Sequence, residues 1–266
     1  MLTRIISGAI GLVLFFVVMF SDKAVLSVAI ALLSIIGLYE AFNAYGYNKH
    51  KIFIIIGILT SLIFAFGDFY NPSLILGFFI VLLIVYVAIM LKKHGEISTN
   101  DLFTAMILNL LIPFVFSGIA FIKRMDNGEI YVWLPFLAAW VTDTFAYFSG
   151  RFFGKHKLCE KISPKKTIEG SIGGTLGAVV GFLLFGWAFS LALDISFNIP
   201  YLVILSLTSS ILSQMGDLFA SVIKREHGVK DFGNIMPGHG GVLDRFDSLI
   251  LTVPYIFIFL KFFPLI

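Results

Sequence analysis

The chain has 266 residues, of which 59% are hydrophobic and only 13% charged, with a formal net charge of +3. A soluble domain is about 45–50% apolar and about 25% charged. This composition therefore excludes a disordered chain, a disulfide scaffold built on the single Cys159 and an ordinary cytosolic enzyme. The small net charge, without a basic tail, excludes a simple nucleic-acid binder.

A membrane-spanning helix needs about 20 apolar residues. Continuous apolar runs, rather than alternating strands of about ten residues, predict an all-α, polytopic integral membrane helical bundle. Nine spans are expected, near 3–20, 24–42, 52–66, 73–91, 103–121, 130–149, 168–192, 199–222 and 248–265. The first is read as a retained helix rather than a signal peptide. The third is short, and is expected to tilt little or to be partly re-entrant. Tyr70, Tyr131, Trp133 and Tyr201 fall near expected span ends, as interfacial aromatics do. Residues 1–122 read as a transmembrane scaffold of five helices, suited to dimerisation. Residues 123–266 read as a catalytic region of four helices with two polar loops.

The connections carry a strong charge bias. Alternate loops collect 15 of the 19 Lys and Arg residues on one side, and only Lys23, Lys123, Arg124 and Lys261 fall on the other. The positive-inside rule then puts the N-terminus and both polar loops in the cytoplasm.

Charges within or beside the spans are the next signal. Asp143 and Asp217 lie inside expected spans, among Thr142, Thr144, Ser213 and Gly216. A carboxylate at depth is costly and by default functional, the alternative being a structural ion pair. Glu40, at the end of the second span, reads instead as an interfacial end residue. Gly177 and Gly181 read as helix-packing glycines, whereas Gly170 and Gly173 either pack or offer backbone N–H groups to a phosphate.

The first polar loop contains Ser163-Pro-Lys165-Lys166-Thr167-Ile-Glu-Gly-Ser171. Pro164 suits a first helical turn capped by Ser163. Lysines and hydroxyls beside a helix start form an anion site, although a positive-inside anchor alone would explain the two lysines. The second runs Ser221, Lys224, Arg225, Lys230, Asp231, then Pro237-Gly-His239-Gly240-Gly241-Val-Leu-Asp244-Arg245-Phe-Asp247. Asp244 and Asp247 are three apart, so a helix would place both on one face. With Asp217 they make three carboxylates among cations, a composition suited to Mg²⁺ and phosphate oxygens. A salt-bridged loop is the plain alternative, and His239 alone would more often be an ordinary loop histidine. The P-loop, dinucleotide-binding glycine and zinc-protease motifs are all missing. The residues alone thus point to metal-assisted phosphoryl or nucleotidyl transfer at a membrane face.

The segment Ser221–Asp247 resembles the phosphatidate cytidylyltransferase (CDP-diacylglycerol synthase) family at every fixed position of that family's 27-residue pattern. Ser163–Gly170 and Asp143-x-Phe-Ala-Tyr147 are similar to it as well, so the motifs cover the last half of the chain. The resemblance implies transfer of CMP from CTP to phosphatidic acid, giving CDP-diacylglycerol and pyrophosphate. It implies Mg²⁺, with or without a second cation, held by Asp217, Asp244, Asp247 and, as a fourth carboxylate, Asp143. It implies phosphate-neutralising roles for Lys165, Lys166, Lys224, Arg225, Lys230 and Arg245, with His239 orienting a phosphate or assisting proton transfer. Ser163, Thr167, Ser171, Ser221, Asp231, Gly240 and Gly241 complete the expected phosphate site. A homodimer in the cell inner membrane, with the site facing the cytoplasm, is also expected. Competing readings are another CTP-dependent lipid enzyme (a polyprenol kinase or an archaeal-type lipid cytidylyltransferase) and, less favoured, an ion-coupled transporter. The transporter reading lacks polar residues spread over both halves.

Overall fold

The computed structural model describes residues 2–67 and 72–266. The expected aromatic Tyr70 lies outside the described residues. The protein is a helical membrane protein, and the expected spans fall on helices, except that the sixth, 130–149, is broken by a turn between a short helix and a longer one that starts at Leu134. In chain order these are α1 Leu2–Phe20, α2 Lys23–Ala44, α3 Lys51–Phe66, α4 Pro72–Lys92, α5 Thr99–Arg124, the short α6 Gly128–Tyr131, α7 Leu134–Phe153, α8 Ile168–Leu193, α9 Ile199–Glu226, the short α10 Val242–Phe246 and α11 Leu249–Phe262. Among the described residues, α2, α5, α8 and α9 are long and apolar enough to cross a membrane by length and composition. The third expected span is one continuous helix, α3.

The chain divides into two compact units. One holds Met1–Ser117 with Phe232–Leu243, the other Gly118–Asp231 with Asp244–Ile266. In the first, Phe42, Tyr47, Phe53 and Tyr86 form a buried aromatic cluster. The Asn109 amide stitches it together, donating to the Phe53 carbonyl at 3.0 Å and to the Tyr86 hydroxyl at 2.8 Å. These two donated bonds fix α3 and α4 against α5, while the buried Asn109 Oδ1 has no hydrogen-bond partner among the described residues.

In the second unit, α8 lies along α7 through small residues. A Cβ on Gly173 would collide with Ser149, and one on Gly177 with Phe145. Gly170 backs onto the Ala146 carbonyl, and its N–H donates to Thr167 Oγ1 at 3.1 Å. Gly170 and Gly173 are therefore packing glycines, because close approach needs the missing side chains. The opposite stripe of α8, formed by Ile172, Leu176, Val180, Leu184, Trp187 and Leu191, is exposed. Such a stripe suits lipid and would be a liability in water.

Tyr131 is buried, and its hydroxyl accepts the Ile266 N–H at 3.0 Å, so it ties down the C-terminal residues.

The first polar loop also departs from expectation. Ser163–Thr167 is a β-strand, β2, paired antiparallel with β1, Lys157–Cys159. Ser163 therefore caps no helix. Helix α8 starts at Ile168 and its cap is Thr167, held at φ −124° and ψ 155°. The hairpin pairs Ser163 with Cys159 and Thr167 with Lys157, and Pro164, lacking an N–H, is tolerated between them in a sheet that has only two strands among the described residues. Glu169 secures the entry, accepting the Lys155 N–H at 3.1 Å and pairing with the His156 ring at 2.6 Å.

Candidate active site

Helix α9 is the spine of the site. Its buried face carries Ser206, Ser209, Ser210 and Ser213, one helical stripe of hydroxyls. Ser210 accepts from Thr142 of α7 at 2.8 Å, and Gln214 donates to Thr175 of α8 at 3.2 Å. These bonds hold three helices in register beneath the charged end of α9, where Asp217, Ser221 and Lys224 follow. The spacing 217, 221, 224 keeps all three on one face, and Ser221 Oγ donates weakly to Asp217 Oδ1 at 3.4 Å.

Two ion pairs organise that end. Lys224 Nζ lies 2.8 Å from Asp244 Oδ1 and 3.7 Å from Asp247 Oδ2. The expected common face of Asp244 and Asp247 is therefore real, although α10 ends at Phe246 and Asp247 follows it. Asp247 Oδ1 also accepts the Ser248 N–H at 2.8 Å. Burial pushes the Asp247 carboxyl up to about 6, with the neighbouring Asp217 carboxylate adding to the rise and Lys224 opposing it. The second pair joins Lys166 Nζ, from β2, to Asp217 Oδ2 at 2.5 Å.

Beside the second pair is a cavity of about 310 Å³. Its lining includes Asp143, Tyr147, Arg151, Lys165, Lys166, Thr167, Ser171 and Gln214. The hairpin and the α8 cap thus bring two lysines, a hydroxyl and Asp143 to one concave surface, as phosphate recognition requires.

Other expected residues make no ion pair with these groups among the described contacts, although Arg245 acts electrostatically on Asp143. Arg225 is exposed and donates to the Val229 carbonyl at 3.3 Å, while Lys230, Asp231 and Arg245 are exposed. His239, Gly240 and Gly241 belong to the first unit. There the Met236 N–H donates to the Gly240 carbonyl at 3.0 Å, closing a tight turn. Ser7 Oγ of α1 donates to the Pro237 carbonyl at 3.0 Å and lies 3.0 Å from His239 Nδ1.

The carboxylates offer only hard oxygen donors. Among the described residues, no group of three acidic, histidine or cysteine side chains is placed to hold a metal ion, so the three-carboxylate cluster expected from the sequence is not assembled. What remains are one or two carboxylates at a time, the number that commonly holds Mg²⁺ when water and substrate phosphate complete its shell.

The sequence model of the cytidylyltransferase family matches residues 2–263. The chain belongs to the cytidylyltransferase family. It is an enzyme of that type. Curated relatives include the phosphatidate cytidylyltransferases of Bacillus subtilis, 30% identical over 98% of this chain and 97% of the relative, and of Staphylococcus aureus, 34% identical over 98% and 99%. That of Rickettsia typhi is 35% identical over 79% of this chain and 92% of the relative. The family resemblance drawn from the two polar loops is therefore confirmed, and the match extends through the plain N-terminal helices.

Three residues of this cytidylyltransferase have no counterpart in the sequence reading of the site. Arg151 and Gln214 line the cavity beside Tyr147 of the Asp143-x-Phe-Ala-Tyr147 motif, but no motif singles out their side chains. Glu40 was read as interfacial. It is instead 2% exposed and accepts backbone N–H groups from Val242 and Leu243. The available signal was a lone acid ending an otherwise apolar run, which carries no hint of a partner some 200 residues away.

Proposed function

We propose that the chain transfers the cytidylyl group of CTP to phosphatidic acid, giving CDP-diacylglycerol and pyrophosphate. The observation that supports this most directly is the cavity lined by Lys165, Lys166, Thr167 and Asp143, next to the Lys166–Asp217 pair. The names of the relatives supply the lipid acceptor.

In this reading a phosphate oxygen of phosphatidate attacks the α-phosphorus of CTP. The bond from that phosphorus to the bridging β-phosphate oxygen breaks, and pyrophosphate leaves with the electron pair. The nucleophile is already an anion, so no strong base is required and no proton must be removed. Asp217, Asp244 and Asp247, with Asp143 as a fourth carboxylate, would hold Mg²⁺, which when bound neutralises phosphate charge and favours in-line geometry. Lys165 and Lys166 neutralise phosphate oxygens at the cavity. In the ground state Lys166 is engaged by Asp217, so a phosphate competes with that carboxylate for one ammonium. Lys224 holds Asp244 and Asp247 in register, and the exposed Arg225, Lys230 and Arg245 add positive potential for anionic substrates. His239 orients a phosphate, and Ser163, Thr167, Ser171, Ser221, Asp231, Gly240 and Gly241 complete the phosphate-binding surface.

The basic bias of 15 among 19 supports an N-terminus and active site on the cytoplasmic side of nine spans, in the cell membrane of a bacterium. The N-terminal helices serve as scaffold and homodimer interface in the same reading, and crosslinking in membranes tests this. The chemical test uses purified protein, phosphatidic acid micelles, Mg²⁺ and CTP. Stoichiometric CDP-diacylglycerol and pyrophosphate are expected, whereas release of CDP with a phosphorylated lipid would indicate a kinase instead.

A further inference from the structure

The buried Glu40 has no part in the reaction just described, and its surroundings assign it one. It sits near the end of α2, 2% exposed, where an unsatisfied carboxylate would be strongly unfavourable. Its two oxygens are used separately. Oε1 accepts the Val242 N–H at 2.9 Å, and Oε2 accepts the Leu243 N–H at 2.9 Å. These are the first two amides of α10, which have no acceptor within their own helix. The preceding loop is shaped around the carboxylate. A Cβ on Gly241 would lie 2.5 Å from the Glu40 carboxyl carbon, and one on Gly233 would collide with the same group. Glycine at both places is what lets the backbone close on a charged side chain.

We propose that Glu40 is a positioning residue for cytidylyl transfer. It clamps the glycine-rich loop from Gly233 to Gly241 and fixes where α10 begins. Asp244 is the third residue of α10, so the start of that helix sets the direction of the carboxylate. Glu40 touches no reacting atom and acts only through the backbone it holds. The inference rests on the proposed role of Asp244 in holding Mg²⁺.

The experiment compares the full-length wild type with Glu40→Gln and Glu40→Asp in detergent micelles, using Asp244→Asn as reference. Gln keeps the size but offers one acceptor and sets an N–H₂ against the second amide. Asp keeps both acceptors on a shorter arm. Two readouts are taken per folded protein: hydrogen exchange of the segment containing Val242 and Leu243, and the Mg²⁺ concentration for half-maximal rate. Glu40→Gln is expected to speed exchange there and to raise the Mg²⁺ requirement roughly tenfold or more, the usual size for a lost group that orients a metal ligand. Glu40→Asp should fall between Gln and wild type on both measures. It carries the test alone if Glu40→Gln does not fold. Faster exchange with an unchanged Mg²⁺ requirement would overturn the positioning role and leave Glu40 merely structural. Unchanged exchange would overturn the clamp itself. An inactive wild type, or a fully active Asp244→Asn, would overturn the functional reading and this inference with it. An active wild type and impaired Asp244→Asn beside a normal Glu40→Gln would overturn only the inference.

Discussion

The two lysine–aspartate pairs look alike in chemistry and differ in setting. Lys224 and Asp244 have side chains only 9% and 2% exposed, whereas Lys166 and Asp217 are both 26% exposed and stand by the cavity. A buried pair is costly to form and more costly to break, because removing one partner strands the other charge. A half-exposed pair is screened and contributes little to stability. In the proposed reaction this contrast becomes a division of labour: the first pair would hold carboxylates in place, and the second an ammonium that a phosphate can take over.

The largest expected effect follows from the buried pair. Lys224→Met leaves Asp244 and Asp247 without their shared cation and should destabilise the protein by about 3–5 kcal/mol, with activity lost. Thermal unfolding in detergent measures this, and an unchanged midpoint would break the contrast. Lys166→Met should cost about 1 kcal/mol or less in stability. The same variant should lower kcat/KM for CTP by roughly a hundredfold, as loss of a charge-assisted phosphate contact of about 3 kcal/mol would. Comparable damage to both quantities would show that the two pairs do the same job.

A pH series sharpens the comparison further. The Asp247 carboxyl is raised to about 6, first by burial and then by Asp217. It is charged above that value and neutral below it. The Mg²⁺ concentration for half-maximal rate should therefore rise as pH falls through about 6, and Asp247→Asn should flatten that dependence. The stability sign is opposite. A carboxyl whose folded value exceeds its unfolded one, near 4, binds more protons when folded. Its penalty is fully present above about 6 and fades as pH falls toward about 4. The smallest effect belongs to Ser221→Ala. Its bond to Asp217 is long, at 3.4 Å, so a change of roughly threefold or less in rate is expected.

Apolar runs made the helices legible, because in lipid every backbone amide must be paired within its own segment. The motif from Ser221 to Asp247 made the Lys224, Asp244 and Asp247 group legible, since a three-residue separation implies one face. The β1–β2 hairpin was not legible. Pro164 with a preceding serine fits a helix start by local rules, and the long-range pairing of Lys157 with Thr167 overrode them. Glu40 was hidden for a related reason. Its partners, Val242 and Leu243, are backbone groups with no sequence signature. The cavity residues Arg151 and Gln214 became visible only when helix packing brought them to one surface with Tyr147.

The central claim is the transfer of a cytidylyl group to a lipid phosphate. CTP labelled separately at the α- and γ-phosphates, incubated with the purified chain, phosphatidic acid and Mg²⁺, tests it most directly. The account predicts α-label in the lipid product and γ-label in pyrophosphate, with both lost in Asp244→Asn. Label from the γ-phosphate in the lipid, or no labelled lipid at all, would contradict it.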